Sequence, residues 1–199
     1  MDNLSKEIAA LEEEVIALRR DFHMHPELGY EEYRTSKIVY DYLKDLGLEV
    51  KKVAKTGVVG LLRGREAGKT VMLRADMDAL PQKEDTGLPY ASVNEGVMHA
   101  CGHDGHTAML LVAAKVLANH RDKIKGNIKF VFQPNEEEAG ALDMIKEGVL
   151  EDPKVDAAFA IHLWTPLKTG EIGLTVGPIM AALEEFELTI FGKAGHTGS

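Results

Sequence analysis

Apolar residues recur every three or four positions along the N-terminal part of the chain, which is the spacing of one face of an α-helix. One such stretch runs from Leu4 to Phe22, and Pro26 follows it. A second runs from about Glu31 to Leu46, and Gly47 stands where a left-handed residue after a helix belongs. The pattern therefore predicts two amphipathic helices, each with one face on a core.

After residue 47 the pattern changes to short apolar segments rich in β-branched residues, which are typical of strands. These segments are LEVKKV, GVVGLLR, TVMLRAD, NIKFVFQP and VDAAFAIHLW. Helical spacing returns between the later segments, from about His106 to Asn119 and in AGALDMIKEGVL. Strands that alternate with helices predict an α/β fold, a three-layer α/β/α sandwich around a largely parallel sheet. GREAGK, between the second and third segments, predicts a hairpin turn.

The last part of the chain has a different pattern. TGEIGLTVG predicts a short strand, and in ALEEFELTIFGKAGHTGS apolar residues alternate with polar ones before the chain stops. A single new strand is not stable as a domain. We therefore expect residues 1–180 to be the N-terminal part of one domain, residues 181–199 to be the first strand of a second domain, and the chain to be truncated.

Composition narrows the class of protein without indicating a function. The chain has 199 residues, a net charge of −9 and a single cysteine. The negative charge disfavours nucleic acid and anionic membrane surfaces as partners, and no apolar run reaches the ~20 residues of a membrane span. One cysteine cannot form an intrachain disulfide and fits a reducing compartment. We therefore expect a cytoplasmic protein without a nucleic-acid or membrane partner.

The segment HACGHDGH, residues 99–106, places three histidines, one cysteine and one aspartate in eight positions at the start of a predicted helix. Other polar groups come directly after predicted strands: Asp76 and Asp78, the acids at 136–138, and His162. Functional sites in α/β sheets gather at the carboxyl ends of the strands. The four segments therefore predict one shared site at that edge.

Four of these residues are candidate metal ligands: Cys101, His103, Glu137 and His162. A thiolate, imidazoles and a carboxylate together suit Zn²⁺ and tolerate Mn²⁺ or Co²⁺. Taken alone, Cys101 is better explained as a small buried apolar residue and His162 as a core histidine. It is the combination at one sheet edge that favours ligation.

The remaining polar residues of these segments have supporting or structural interpretations. Asp76 is a candidate for the carboxylate that supports a ligating histidine, with a purely structural loop role as the alternative. We expect His106 to lie on the helix face that points away from the metal site. His23 and His25, beside a predicted helix end, are interpreted as structural.

The acids Glu136, Glu137 and Glu138 allow two interpretations. Adjacent carboxylates often form a solvated helix start, where they complement the helix dipole. Adjacent carboxylates can also divide two tasks, so that one binds metal while the other moves protons. Metal-assisted amide hydrolysis needs that division.

Taken together, five motifs resemble those of a known family. DFHMHPELGYEE, RADMDALP, MHACGHDGHTAMLL, VFQPNEEEAGA and AIHLW resemble, in this order, the motifs of the M20 metallopeptidase family. Within it they resemble the amidohydrolase branch, which includes N-acyl-amino-acid amidohydrolases, hippurate hydrolases and auxin-conjugate hydrolases. The resemblance implies an α/β catalytic domain with two divalent metal ions (Zn or Mn, also Co or Ni), and a small N-acyl amino acid as substrate. It also implies an inserted α+β lid domain through which a homodimer or higher oligomer forms.

By motif match, the resemblance implies roles for single residues. Cys101, His103, Glu137 and His162 take the metal-ligand positions, Glu136 takes the position of the general acid and base, and Asp76 supports the site. A register shifted by one residue would instead make Glu137 the base and Glu138 the ligand. The lid is expected to begin near Ala181, and His196 matches a lid histidine that stabilises the tetrahedral oxyanion, in relatives often from the partner subunit.

The resemblance also leaves alternatives to an active enzyme. The fifth ligand of the family is a histidine near the C-terminus of the full chain, and no such segment is present here. One alternative is therefore a catalytically inactive fragment. Another is a structural zinc site. Structural zinc sites are usually closed and rich in cysteine, and the additional carboxylate of Glu136 beside the ligands disfavours this alternative.

Overall fold

The N-terminal apolar stretch forms two helices rather than one. The computed structural model describes residues 3–180, 186–193, 195 and 198. Helix α1 spans Asn3–Ala9 and α2 spans Glu12–Met24. Three glutamates fill the first turn of α2, where negative charge favours a new helix start. Helix α3 spans Tyr33–Asp45, and Gly47 after it has a φ of +73°, as predicted for a left-handed residue.

Five strands form one sheet in the order β1-β2-β4-β3-β5. Their bounds, in chain order, are Glu49–Val53, Gly57–Arg63, Glu66–Asp76, Lys125–Gln133 and Ala157–Ala160. The β1–β2 and β2–β4 pairs are antiparallel, whereas the β4–β3 and β3–β5 pairs are parallel. The sheet is therefore mixed. A largely parallel sheet was predicted, but only the half that carries the candidate site is parallel.

The predicted hairpin between β2 and β3 is wrong, because β4 lies between these two strands. The short connection pairs with the start of β4 instead: the Gly64 amide donates to the Gly126 carbonyl at 2.8 Å. Gly126 has a φ of +82°, and a Cβ there would lie 2.1 Å from the Lys69 carbonyl oxygen. A glycine is needed for β4 to approach β3 this closely.

Helices cover both faces of the sheet. Helix α4 spans His103–Asn119 and α5 spans Ala141–Lys146. One apolar cluster contains Leu43 of α3, Leu111 of α4 and Phe130 of β4, while a second contains Val131 of β4 and Met144 of α5. Neighbouring residues of β4 thus serve opposite faces, as the two-residue period of a strand requires. The three-layer α/β/α prediction is confirmed.

The C-terminal strand predictions have a different outcome. By its internal contacts the chain divides into Met1–Leu163 and Trp164–Ser199. Among the described residues of the second unit, no strand is formed, and the apolar side chains at 186, 188 and 190 are exposed. Period-two alternation yields a strand only where a neighbour supplies backbone hydrogen bonds. The predicted start of the lid falls in 181–185, outside the described residues, and stays a prediction.

None of the helices in the described part of the chain combines the length and the apolar character that a membrane crossing requires.

Candidate metal centre

The carboxyl ends of the parallel strands and the start of α4 bring the candidate residues together. Asp76, the last residue of β3, is the register partner of Gln133, the last residue of β4, and β5 runs parallel to β3. Glu136 and Glu137 follow β4 in a single 3₁₀ turn, and His162 follows β5 by two residues. Helix α4 begins at His103, directly after Gly102, whose φ of +93° only glycine adopts without strain.

His103 is at the centre of the site and is buried. Its Nδ1 lies 2.9 Å from the Asp78 carbonyl oxygen, to which it donates, so Nε2 is the free nitrogen. Nε2 lies 3.8 Å from Glu136 Oε2 and 3.9 Å from Glu137 Oε1. Burial opposes a charged ring, but the Asp78 carboxylate beside Nδ1 and the other surrounding carboxylates outweigh it and raise the pKa of His103 to about 9. The acids around this ring therefore favour a positive charge there.

The donor atoms form three groups that could each hold a metal ion, and His103 belongs to all of them. One group adds Cys101 and His162, another adds Glu136 and Glu137, and a third adds Asp76 and His106; within each group the donor atoms lie within 4.8 Å of one another. Glu138 is exposed and belongs to none of these groups, which cover the described residues.

Cys101 and His162 lie side by side, with Cys101 Sγ 3.5 Å from His162 Nε2. His162 Nδ1 donates to the Leu163 carbonyl oxygen at 2.7 Å. Burial, followed by the negative charge of nearby Glu137, raises the pKa of Cys101 to about 12. Cys101 is thus a thiol unless a cation stabilises the thiolate, which is how thiol ligands behave at metal sites.

The two aspartates after β3 make different contacts. Asp76 accepts from His106 Nδ1 at 2.6 Å and pairs with Arg74 at 2.8 Å. Burial opposes ionisation of Asp76, but His106, His103 and Arg74 together hold the pKa of its carboxyl well below the usual range. It is Asp78 that lies beside His103 Nδ1, at 3.3 Å, and that accepts the Glu137 amide at 3.1 Å.

The expectation that His106 points away from the site is wrong. His106 is buried, contacts Asp76, and its ring centroid lies 4.6 Å from that of His162. The reason is helical geometry, since residues three positions apart share one helix face and His106 follows His103 by three. That spacing was available in the sequence. His106 also stands beside the apolar run of the helix, and for that reason the sequence did not indicate that its ring faces the site.

The other predicted residues lie as follows. Glu136 is half-buried, and burial followed by the charge of Asp76 raises the pKa of its carboxyl. His23 is buried and its Nδ1 lies 2.8 Å from Asp104 Oδ2, which fits the structural role expected of it. His196 lies outside the described residues.

The site has the chemistry that a divalent cation requires. Three of its buried polar atoms, His103 Nε2, Glu137 Oε1 and Asp78 Oδ1, have no hydrogen-bond partner among the described residues. Buried polar atoms are normally paired, and leaving one unpaired costs on the order of 1–3 kcal/mol. A cation that accepts ligation from the imidazole and the carboxylate satisfies both atoms at once.

Fold and site together define a class: α/β proteins with a candidate metal centre of cysteine, histidine and glutamate at the carboxyl edge of a sheet. The chain belongs to Peptidase family M20/M25/M40, which matches residues 72–197.

Two curated relatives illustrate the similarity. The chain is 46% identical over 198 residues to an N-acyl-L-amino acid amidohydrolase of Geobacillus stearothermophilus, covering 98% of this chain and 53% of the relative. It is 43% identical over 196 residues to a hippurate hydrolase of Campylobacter jejuni, covering 98% of this chain and 51% of the relative. The chain thus spans about half the length of the curated relatives it matches.

Solved structures have the same fold. The Bacillus subtilis YXEP protein, described as a dinuclear metal binding peptidase of the M20 family, matches with a TM-score of 0.73 and 43% identity over 77% of this chain and 43% of its own. A putative aminohydrolase from Staphylococcus aureus matches with a TM-score of 0.81 and 41% identity over 86% of this chain and 44% of its own.

Proposed function

We propose that the protein to which this chain belongs is a metal-dependent amidohydrolase. Its reaction is the hydrolysis of the amide bond of N-acyl amino acids or similar small amides, which gives a carboxylic acid and an amino acid. The observation that carries the proposal is the free Nε2 of His103, which faces Glu136 and Glu137 at 3.8 and 3.9 Å. The relatives named for hydrolysis of N-acyl amino acids and hippurate support the substrate class.

Two divalent metal ions belong to this proposal, and the residues that would hold them are Cys101, His103, Glu137 and His162. The thiol favours Zn²⁺, whereas the carboxylates also suit Mn²⁺ or, less commonly, Co²⁺ or Ni²⁺. His103 is shared by the group with Cys101 and His162 and the group with Glu136 and Glu137, which supports closely spaced metals. So does the solved relative described as dinuclear.

The residues of this chain divide the chemistry between them. Bound metal ions would lower the pKa of water and polarise the amide carbonyl. Glu136 removes a proton from the attacking water as the new C–O bond forms. It then donates that proton to the leaving nitrogen as the C–N bond breaks. Arg74 Nη2 lies 4.0 Å from Glu136 Oε1 and limits where that carboxylate can point. His196 is proposed to stabilise the oxyanion, as the family resemblance implies.

Asp78 keeps two of the proposed ligands in position. It accepts the Glu137 amide on one carboxylate oxygen, while its own carbonyl accepts from His103 Nδ1. Carbonyl or carboxylate partners of this kind fix the tautomer and orientation of a ligating histidine. Asp76, for which that role was predicted, instead links Arg74 and His106.

We also propose a cytoplasmic location and a homodimer or higher oligomer, with residues 1–180 in the catalytic domain and 181–199 in the lid. The single cysteine lies in the candidate site rather than in a disulfide, which fits a reducing compartment. Light scattering of the purified protein tests the oligomer, since a monomer at all concentrations would contradict it.

Metal counting combined with a hydrolysis assay tests the function. The protein that contains this chain is loaded with Zn²⁺ or Mn²⁺, its bound metal ions are counted by native mass spectrometry, and its hydrolysis of N-acetyl and N-benzoyl amino acids is assayed. We expect bound metal and turnover, with turnover lost on chelation and restored by the metal. Bound metal without turnover on any substrate would contradict the activity and favour an inactive fragment. One tightly held ion without turnover would favour a structural site.

A further inference from the structure

His106 has two fixed hydrogen-bond partners that determine its protonation pattern. Its Nε2 accepts from the Leu163 backbone amide at 2.9 Å. A backbone N–H can only donate, so Nε2 carries no proton. Nδ1, at 2.6 Å from Asp76 Oδ1, must then carry the proton and donate it to that carboxylate. His106 therefore occupies the Nδ1–H tautomer, with one ring nitrogen on each partner.

Leu163 connects His106 to a proposed metal ligand. Its carbonyl accepts from His162 Nδ1 at 2.7 Å, which leaves His162 Nε2 as the nitrogen that faces Cys101 Sγ. Residues 161–163 follow β5 and form no regular secondary structure, so no ladder orders their backbone. The Leu163 amide depends on a side chain for its partner, and that side chain is His106.

Two glycines of the α4 start let Leu163 pack directly against the helix. A Cβ on Gly105 would lie 2.7 Å from Leu163 Cδ1, and a Cβ on Gly102 would lie 3.4 Å from the same atom. The side chain of Leu163 is therefore in close contact with the turn that carries Cys101 and His103. Packing and the His106 hydrogen bond hold the same residue from two sides.

We propose that His106 is a positioning residue that, as the Nδ1–H tautomer, holds the Leu163 peptide and thereby aims His162 Nε2 at the metal site. The inference rests on the proposed function in one respect, that His162 is a metal ligand. His106 itself binds no metal in this arrangement, because both of its nitrogens are occupied by Asp76 and Leu163.

The tautomer is measured on the metal-free chain. Two-bond ¹⁵N–¹H correlation spectra of the imidazoles distinguish a protonated Nδ1 from a protonated Nε2. We expect His106 to have the chemical shifts of a protonated Nδ1 and an unprotonated Nε2, with assignment by the loss of these signals in a His106 variant. The opposite tautomer, or rapid exchange between the two, would overturn the inference. This result is independent of any hydrolytic activity.

A pair of variants separates the two hydrogen bonds. In His106→Gln the amide oxygen can reach the position of Nε2 and accept the Leu163 amide. In His106→Asn the shorter amide can donate to Asp76 but cannot reach Leu163. We expect His106→Asn to weaken Co²⁺ affinity on the order of 10- to 100-fold, the usual effect of losing a partner outside the ligand shell. His106→Gln should bind Co²⁺ more tightly than His106→Asn, with a visible spectrum closer to that of the parent.

His120→Asn is the matched control, since His120 lies outside the site and pairs with Glu7. Parent-like Co²⁺ affinity and spectra in His106→Asn would overturn the inference, and so would equal losses in the two His106 variants. If the parent binds metal but never hydrolyses a substrate, the proposed function fails while the ranking of these variants still tests His106. Far-UV circular dichroism identifies a variant that does not fold, and the tautomer measurement on the parent, with the signals assigned from the His106 variant that does fold, then decides.

Discussion

The Nε2 atom of His103 lies 3.9 Å from the Oε1 atom of Glu137, and neither atom has a hydrogen-bond partner among the residues that the structure describes. This separation is too long for a hydrogen bond. Asp78 holds the other ring nitrogen of His103 and the backbone amide of Glu137, so the His103 ring and the Glu137 backbone are positioned by the same residue. His103 Nε2 and Glu137 Oε1 are both atoms that ligate metals, and a cation bound to both would stabilise this arrangement.

Metal should therefore stabilise the fold through His103. A ligand that binds only the native state at 100 times its Kd contributes about 2.7 kcal/mol, which for a chain of this size raises Tm by roughly 5–10 °C. We expect Zn²⁺ to raise Tm by this amount in the parent and in His120→Ala, but not in His103→Ala. Differential scanning fluorimetry with and without a chelator measures it. An undiminished shift in His103→Ala would contradict ligation by this residue.

Glutamine variants of the three adjacent acids assign their roles. Loss of a general base lowers turnover by about 10²- to 10⁴-fold, so we expect that loss in Glu136→Gln with the metal-induced Tm shift retained. Glu137→Gln should lose both turnover and shift. The exposed Glu138 is the matched control and should keep both when changed to Gln. If instead Glu137→Gln keeps the shift and Glu138→Gln loses it, the register is displaced by one residue.

The elements of this fold could be predicted because their signals are local. In β4, Phe130 and Phe132 belong to one apolar cluster and Val131 to the other, and the continuous apolar run in the sequence is typical of a strand that is buried on both faces. The pairing of β4 between β2 and β3 is not local. It depends on the close approach of the two chain segments at Gly64 and Gly126, which lie 62 positions apart (126 minus 64), while the segment at Gly64 alone indicates a turn. Composition alone therefore favoured a hairpin.

Prediction of the site had the same limit. The ends of parallel strands meet by topology, so Asp76, Glu136 and His162 could be placed at one edge from the sequence. Which aspartate touches which histidine depends on side-chain direction. Asp78 contacts His103, and Asp76 contacts His106, a distinction that strand position does not provide.

Glu32 should make stability depend on pH. This carboxylate is fully buried and accepts from Thr56 Oγ1 at 2.5 Å and from the Asn135 amide at 2.9 Å. Burial outweighs these hydrogen bonds and raises the pKa of Glu32 above its reference of 4.5. The unfolded chain therefore releases this proton first, and the free energy of unfolding contributed by Glu32 falls as pH rises from 4.5 through the folded-state pKa.

The measurement compares Glu32→Gln with the parent by urea denaturation between pH 4.5 and 8. A glutamine cannot ionise and presents an N–H where the carboxylate accepted, so we expect it to be less stable by about 1–3 kcal/mol at the acidic end. The deficit should shrink as pH rises, because the buried carboxyl of Glu32 ionises in the parent and destabilises it, whereas glutamine stays neutral. The exposed neighbour Glu31 is the control, and Glu31→Gln should show no such trend. A deficit that grows with pH would mean that the folded pKa is lowered.

Gly102 should link backbone conformation to metal affinity. It lies between Cys101 and His103 with a φ of +93°, where an alanine costs roughly 1–2 kcal/mol. Gly47, at a φ of +73° and far from the site, is the matched control, because a Cβ there meets nothing within 4 Å. We expect Gly102→Ala and Gly47→Ala to lose similar stability in urea denaturation of the metal-free chain. Only Gly102→Ala should also weaken Zn²⁺ binding in a chelator competition assay. Its backbone strain would relax by reorienting the neighbouring residues Cys101 and His103, which are proposed ligands. Equal Zn²⁺ affinity in both variants would show that the turn at Gly102 is needed for the fold and does not set the ligand geometry.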